Sequence, residues 1–166
     1  MRITLLGTGD AIGTPKIGCT CPQCIHAKTT GTMRLRTSLL IENNGFHLLV
    51  DSSPDLRQQL LRYGSPHIDA VIWTHGHYDH FMGFGEFYRV QHIPPVFAVP
   101  PVMDYCTGIF SFLKFDERII HPYEPFSLCG ITITPFIVNH PPVFTCGMLF
   151  ATGKSRGAFT SDTNQD

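Results

Sequence analysis

Short apolar blocks punctuated by turn residues run along the chain, and their lengths predict strands more often than helices. Residues 3–7 read as a strand that ends in Gly7-Thr8-Gly9. Residues 8–36 carry Gly, Pro and Cys with little periodicity, and read as one long polar loop, which in a compact domain is usually functional or stapled. β-Rich runs at 37–42 and 46–51 flank Asn43-Asn44-Gly45, a strong hairpin signal. Ser53-Pro54-Asp55 opens a helix with Leu56, Leu60 and Leu61 on its apolar face and Gly64 as its stop. Residues 68–74 predict a buried strand, 81–88 a short helix, 96–99 a strand and 103–113 a helix. The alternating run at 131–138 and the stretches 146–152 and 157–160 predict three more strands. No internal repeat or low-complexity tract interrupts this pattern. Hairpins mixed with strand–helix units imply an α/β architecture, sheets with helices on their outer faces.

The length of 166 residues suits a single domain over 1–166, and 43% hydrophobic residues suit a globular one. Charged residues make up only 15%, well below the usual quarter, which fits extra buried surface in a homodimer or against a further segment. A net charge of −1 gives no electrostatic footprint for nucleic acid. No apolar run approaches the roughly 18 residues that span a membrane. Met1-Arg2-Ile3-Thr4-Leu5-Leu6-Gly7 turns polar too soon for a secretory signal, so the expected location is cytoplasmic. There, six cysteines read as metal ligands or buried thiols before they read as disulfides.

The densest chemistry lies in His75-Gly76-His77-Tyr78-Asp79-His80, directly after a predicted apolar strand. Imidazole and carboxylate are the usual donors of open catalytic metal sites. A tight loop can aim His75 and His77 at one ion and Asp79 and His80 at a neighbour, as in centres that pair two ions. A histidine-rich surface loop is the bland alternative, and it gives no reason for this spacing after a buried strand. The helical His-Glu-x-x-His pattern of zinc proteases is absent. His140 and Asp162 each taken alone would be an ordinary histidine or turn residue, but their place after further apolar strands, downstream of the loop, makes both candidates for the same site.

Thr74 to His80, Asn139-His140 and Ser161-Asp162-Thr163, together with Leu6-Gly7-Thr8-Gly9 and Leu49-Val50-Asp51, resemble the metallo-β-lactamase superfamily. The resemblance covers the whole chain and implies a four-layer αββα sandwich with metals at one edge. It implies that His75, His77 and His140 bind a first divalent ion, that Asp79 and His80 bind a second, and that Asp162 bridges them. Asp51 would orient ligands from behind, a role carboxylates often play, unless it is only a turn residue at the end of the hairpin.

Cys19, Cys21 and Cys24, in the loop 18–26, offer three thiols for a structural zinc that wants a fourth ligand. His26 is near in sequence, and a redox pair or inert thiols are the alternatives. Cys106, Cys129 and Cys146 stand in apolar surroundings and read as core. The cysteine pattern narrows the resemblance to the phosphoribosyl 1,2-cyclic phosphate phosphodiesterases of the carbon–phosphorus lyase pathway. Those combine a structural zinc with a catalytic pair usually taken as manganese. The segment from Ser155 to Thr163 matches them too, with Ser155 and Arg156 as phosphate contacts or idle turn residues. Pyrroloquinoline quinone biosynthesis proteins share the cysteines, and ribonuclease Z shares only the histidine loop and Gly-Thr-Gly. The family places further histidine ligands beyond the Ser-Asp-Thr segment, whereas this chain stops at Asp166. A fragment lacking the C-terminal part of the sandwich is the favoured expectation.

These residues point to hydrolysis of a small cyclic ribose phosphodiester at two divalent ions, Mn²⁺ or Zn²⁺. Asp79 would act as ligand and hold the attacking water. The expected partner is a small phosphorylated substrate. An RNA nuclease of the ribonuclease Z type, a lactonase-like hydrolase and a non-catalytic cofactor-biosynthesis protein are the competing readings, because one fold hosts many activities.

Overall fold

The computed structural model describes residues 1–164. β1 (Arg2–Gly7), β2 (Ser38–Asn43) and β3 (Phe46–Val50) form an antiparallel meander. Its β2–β3 turn is the expected hairpin, with Asn44 and Gly45 both at positive φ. β4 (Ala70–Ile72), β5 (Val96–Ala98) and β6 (Glu117–Ile119) then add in parallel to β3, completing a six-stranded sheet in chain order. Parallel neighbours need crossovers. These are carried by α2 (Leu56–Arg62), by α3 (Tyr78–Phe81) with the 3₁₀ helix Met82–Phe87, and by α4 (Pro100–Ile109). A second, antiparallel sheet follows, ordered β10-β9-β8-β7. Its strands are β7 (Phe126–Leu128), β8 (Ile131–Val138), β9 (Thr145–Ala151) and β10 (Arg156–Phe159).

The sheets meet face to face. Ile131 and Ile133 of β8 and Cys146, Met148 and Phe150 of β9 are buried in one cluster with Leu40, Leu48 and Val71. Phe97 stacks on Phe126 across the interface, with centroids 5.4 Å apart. Under the helices, Trp73 is enclosed by Phe81, Phe84, Phe110 and Phe115. The strands β2 and β3 are buried on both faces, as a layered α/β/β arrangement requires. On the far side of the second sheet Thr132 and Leu149 stand exposed, and no helix follows β7 among the described residues. The described residues thus build three of the four expected layers. None of their helices is long and apolar enough to cross a membrane.

Several expectations change. The long loop at 8–36 contains a helix, α1 (Pro22–Thr30), with Pro22 at its start and Gly31 closing it at φ 70°. It escapes the apolar pattern because only Cys24 and Ala27 are buried on it. Cys21 is the residue that caps this helix, so the cysteines do not lie on loop alone. The strand expected at 68–74 pairs only over β4, because the chain leaves the sheet before the histidines. The helix expected at 81–88 starts earlier, at Tyr78, and tightens to 3₁₀ after Phe81. The helix expected at 103–113 starts at Pro100, since two prolines fit its first turn, and ends at Ile109. On α2, Leu61 is exposed and Gln59 is buried instead, its side chain donating to the Arg36 carbonyl. Cys106 and Cys146 are core, whereas Cys129 is exposed in the β7–β8 turn at φ 44°. The strands β6 and β7 are three residues each, too short for periodicity to reveal.

Candidate metal centre

Four strand ends converge at one edge. β3 delivers Asp51, β4 leads to Thr74 and His75, β8 delivers His140, and β10 delivers Asp162. The carboxyl ends of parallel strands are the usual place for a site in open α/β sheets. The Cys146 N–H donates to the Thr74 carbonyl at 3.0 Å, tying the second sheet to the first at this edge. The Asn164 N–H donates to the Asn139 carbonyl at 2.7 Å, which fixes the segment carrying Asp162 beside the one carrying His140.

Asp51 is the hub. It is fully buried and sits at φ 60°. Its carboxylate accepts the Thr74 N–H at 2.9 Å and the Thr74 hydroxyl at 2.8 Å, and meets His80 Nδ1 at 2.6 Å. Because the Thr74 proton goes to Asp51, its oxygen is left to accept from His75 Nδ1 at 3.0 Å and from the Ser161 hydroxyl at 2.8 Å. The proton of His75 therefore lies on Nδ1 and that of His80 faces Asp51. Both Nε2 atoms are turned toward the centre. Sequence reasoning gives Thr74 and Ser161 no role, and only the meeting of β4 with β10 reveals one.

Around this hub the expected ligands fall into two groups. His75, His77, His140 and Asp162 bring donor atoms within 4.8 Å of one another, as do Asp79, His80 and Asp162. Asp162 belongs to both. His77 Nδ1 lies 3.1 Å from His75 Nε2 and 3.1 Å from His140 Nε2. His80 Nε2 lies 3.4 Å from an Asp79 oxygen and 3.5 Å from an Asp162 oxygen. Asp79 and His80 reach this position because α3 begins inside the histidine loop, with the His80 N–H donating to the His77 carbonyl at 2.9 Å.

The electrostatics follow from burial and from these partners. Burial pushes His75 down to about 4, helped by the charge of His80, so it is neutral, as a ligand must be. Burial also opposes charge on His80, but Asp51 and Asp162 overcome it and push His80 up to about 12. The hydrogen bond to His80 holds Asp162 at about 2 despite burial. Burial would raise Asp79, yet its bond to His80 brings it below the usual carboxylate range.

The donor set fits a cation. A proton on His77 Nδ1 can satisfy only one of the two ring nitrogens that face it, whereas a metal ion would satisfy all three at once. His140 Nδ1 is buried without a hydrogen-bond partner among the described residues.

The cysteine cluster is a separate place. The sulfurs of Cys19, Cys21 and Cys24 lie within 4.8 Å of one another, and His26 is not among them. The Lys16 N–H donates to Cys24 Sγ at 3.3 Å. The backbone N–H of Cys24, with its neighbouring thiols, lowers Cys21 to about 7. Ser155 and Arg156 stand outside both groups; the Ser155 hydroxyl pairs with Thr152 in the turn before β10.

Residues 47–166 match the family described as a beta-lactamase superfamily domain. Coenzyme PQQ synthesis protein B of Xanthomonas axonopodis pv. citri is 30% identical over 83% of this chain and 52% of its own length. The octanoyltransferase of Porphyromonas gingivalis is 34% identical over 84% of this chain but only 31% of its own. The chain thus spans about half, or less, of these curated relatives. Among solved structures, a diphosphatase from the PhnP family is 30% identical with a TM-score of 0.81, over 90% of this chain and 62% of that one. Zinc-bound PqqB from Methylobacterium extorquens also has a TM-score of 0.81 at 23% identity, over 95% of this chain and 64% of that one, which speaks for the fold alone.

Proposed function

The chain belongs to the metallo-β-lactamase superfamily, and from that premise we propose that it is a metal-dependent hydrolase cleaving a small cyclic ribose phosphodiester. The observation that carries this reading is the sharing of Asp162 between two groups of donors, His75, His77 and His140 on one side and Asp79 and His80 on the other. A shared carboxylate between two such groups suits a pair of divalent ions, Mn²⁺ or Zn²⁺. Such a pair supplies a water acidic enough to be a nucleophile near neutral pH and offsets charge on phosphoryl oxygens. The rest falls to the chain. Asp51 holds Nδ1–H of His80 and Thr74 holds Nδ1–H of His75, so that both Nε2 atoms face the centre, where an ion would displace the second proton of His80. Asp79, buried, would hold the second ion and position the attacking water.

The similarity to a PhnP-family diphosphatase supports a phosphorylated substrate. The octanoyltransferase name belongs to a protein most of which lies outside the match. In the same reading Cys19, Cys21 and Cys24 hold a structural zinc. The same reading places the protein in the cytoplasm, where thiols stay reduced and free to bind metal.

The test is to load the purified protein with Mn²⁺ or Zn²⁺, count metals per chain and offer it a ribose cyclic phosphodiester beside a lactone. Two ions beyond the cysteine metal, with turnover of the diester alone, is the expected result. Turnover of the lactone alone, or full metal occupancy without turnover of either, would overturn the phosphodiesterase reading.

A further inference from the structure

Beside the metal centre a cavity of about 310 Å³ opens between α4 and the segment that follows His140. Its walls include His77, Pro101, Val102, Tyr105, Val143 and Phe144. None of the described lining residues is an Asp, Glu, Lys or Arg. Two large aromatic side chains are left open to water there, Tyr105 at 57% and Phe144 at 39% exposure.

Tyr105 is braced from two sides. Tyr105 meets Phe81 edge to face, with centroids 6.0 Å apart. Its ring presses on the histidine loop so closely that a Cβ on Gly76 would lie 2.7 Å from it. Tyr105 thus occupies the space a side chain at 76 would need, and lines the cavity beside His77. On the other wall, the Val143 N–H donates to the His140 carbonyl at 3.0 Å, fixing the turn that leads to Phe144.

His77 belongs to both places. It lines the cavity, and its Nδ1 faces His75 and His140 in the metal centre. A phosphoryl group held at the centre would therefore lie next to the cavity. The volume lies at the lower end of small-ligand pockets, about 300–1,000 Å³, which suits one ring system. A second phosphate or a carboxylate placed there would lose water without gaining a counter-ion. A flat, uncharged ring would instead gain contact with two aromatic faces.

We propose that this cavity binds an uncharged planar ring carried by the phosphodiester substrate, and that Tyr105 and Phe144 are the residues that select it. The proposal rests on the phosphodiesterase reading and narrows it to ring-bearing esters.

The experiment compares phenylphosphonate with methylphosphonate, which share a headgroup and have no cleavable ester, by calorimetric binding to the zinc-loaded protein. The phenyl compound should bind about tenfold tighter, the factor that one good aromatic contact supplies. Tyr105→Ala and Phe144→Ala should each draw that ratio toward one, Tyr105→Phe should keep it, and metal counts should show the centre intact. Equal binding by the parent protein, or an undiminished ratio in both alanine variants, overturns the ring site. A second arm measures kcat/KM for phenyl and methyl ribosides of the 2,3-cyclic phosphate. Hydrolysis of both at equal kcat/KM overturns the ring site while the phosphodiesterase reading stands. A phenylphosphonate preference with no hydrolysis of either diester supports the ring site and overturns the phosphodiesterase reading.

Discussion

The histidine–carboxylate centre draws its side chains from three strand ends, a loop and one helical turn in two different sheets, whereas the cysteine cluster lies within six residues at the start of α1. Behind the first stands a hydrogen-bonded frame of buried Asp51 and Thr74 with half-buried Ser161, which orients the rings before any ion binds. Behind the second stand backbone N–H groups, from Lys16 and from the first turn of a helix, and the Lys16 charge. Damage to the first should therefore spread across the centre. Damage to the second should stay local.

The change with the largest expected effect is Asp162→Ala, because that carboxylate serves both donor groups. We expect both catalytic ions to be lost together while the cysteine metal is kept. Turnover should fall about a thousandfold, the scale of several kcal/mol of metal assistance. Elemental analysis and steady-state assays check this. Loss of one ion only would show that the two groups are independent sites, and the contrast between a shared and a local centre would break there.

Asp51→Asn asks whether the frame or the ligands themselves set the geometry. Asparagine tolerates the left-handed backbone at φ 60°, so the substitution removes charge and not conformation. It leaves a buried His80 without its carboxylate. Urea unfolding of the metal-free protein should lose about 3–5 kcal/mol. Affinity for the ion held by Asp79 and His80 should fall about 10–100-fold, the usual cost of losing a partner behind a ligand. An unchanged affinity would reduce Asp51 to a turn residue.

This contrast also explains what could be read in advance. The candidate ligands in the histidine loop are legible because four donors fall within six residues after an apolar strand. His140 and Asp162 are fainter, since each is a lone residue marked only by its place after an apolar strand, and the resemblance assigns their roles. The frame is harder still. Asp51 meets Thr74 because β3 and β4 run parallel and end together, and nothing in either strand announces its neighbour. Tyr105 hides for a similar reason, since on α4 it reads as one more helical residue until its contact with Gly76 is seen. The helix at the cysteines is concealed by its weak apolar pattern, although Pro22 and Gly31 mark its two ends.

The smallest expected effect tests the local side of the comparison. Cys21 caps α1, and the backbone N–H of Cys24 and the adjacent thiols stabilise its thiolate, lowering it to about 7. Cys24 accepts the Lys16 N–H, which also favours its thiolate, but burial and the neighbouring thiols prevail and raise it. The thiolate is the reactive form. Alkylation of the metal-free protein should therefore switch on at Cys21 as pH rises through about 7, and at Cys24 only at higher pH. Iodoacetamide labelling read by peptide mass spectrometry resolves the two. One common midpoint for all three thiols would show that the helix start does not single out Cys21. Zinc should protect the whole cluster, because it takes up the same lone pairs. Labelling Cys21 should leave the ions of the histidine centre in place; their release would show that the first turn of α1 holds the distant centre together, and that the two regions are not independent.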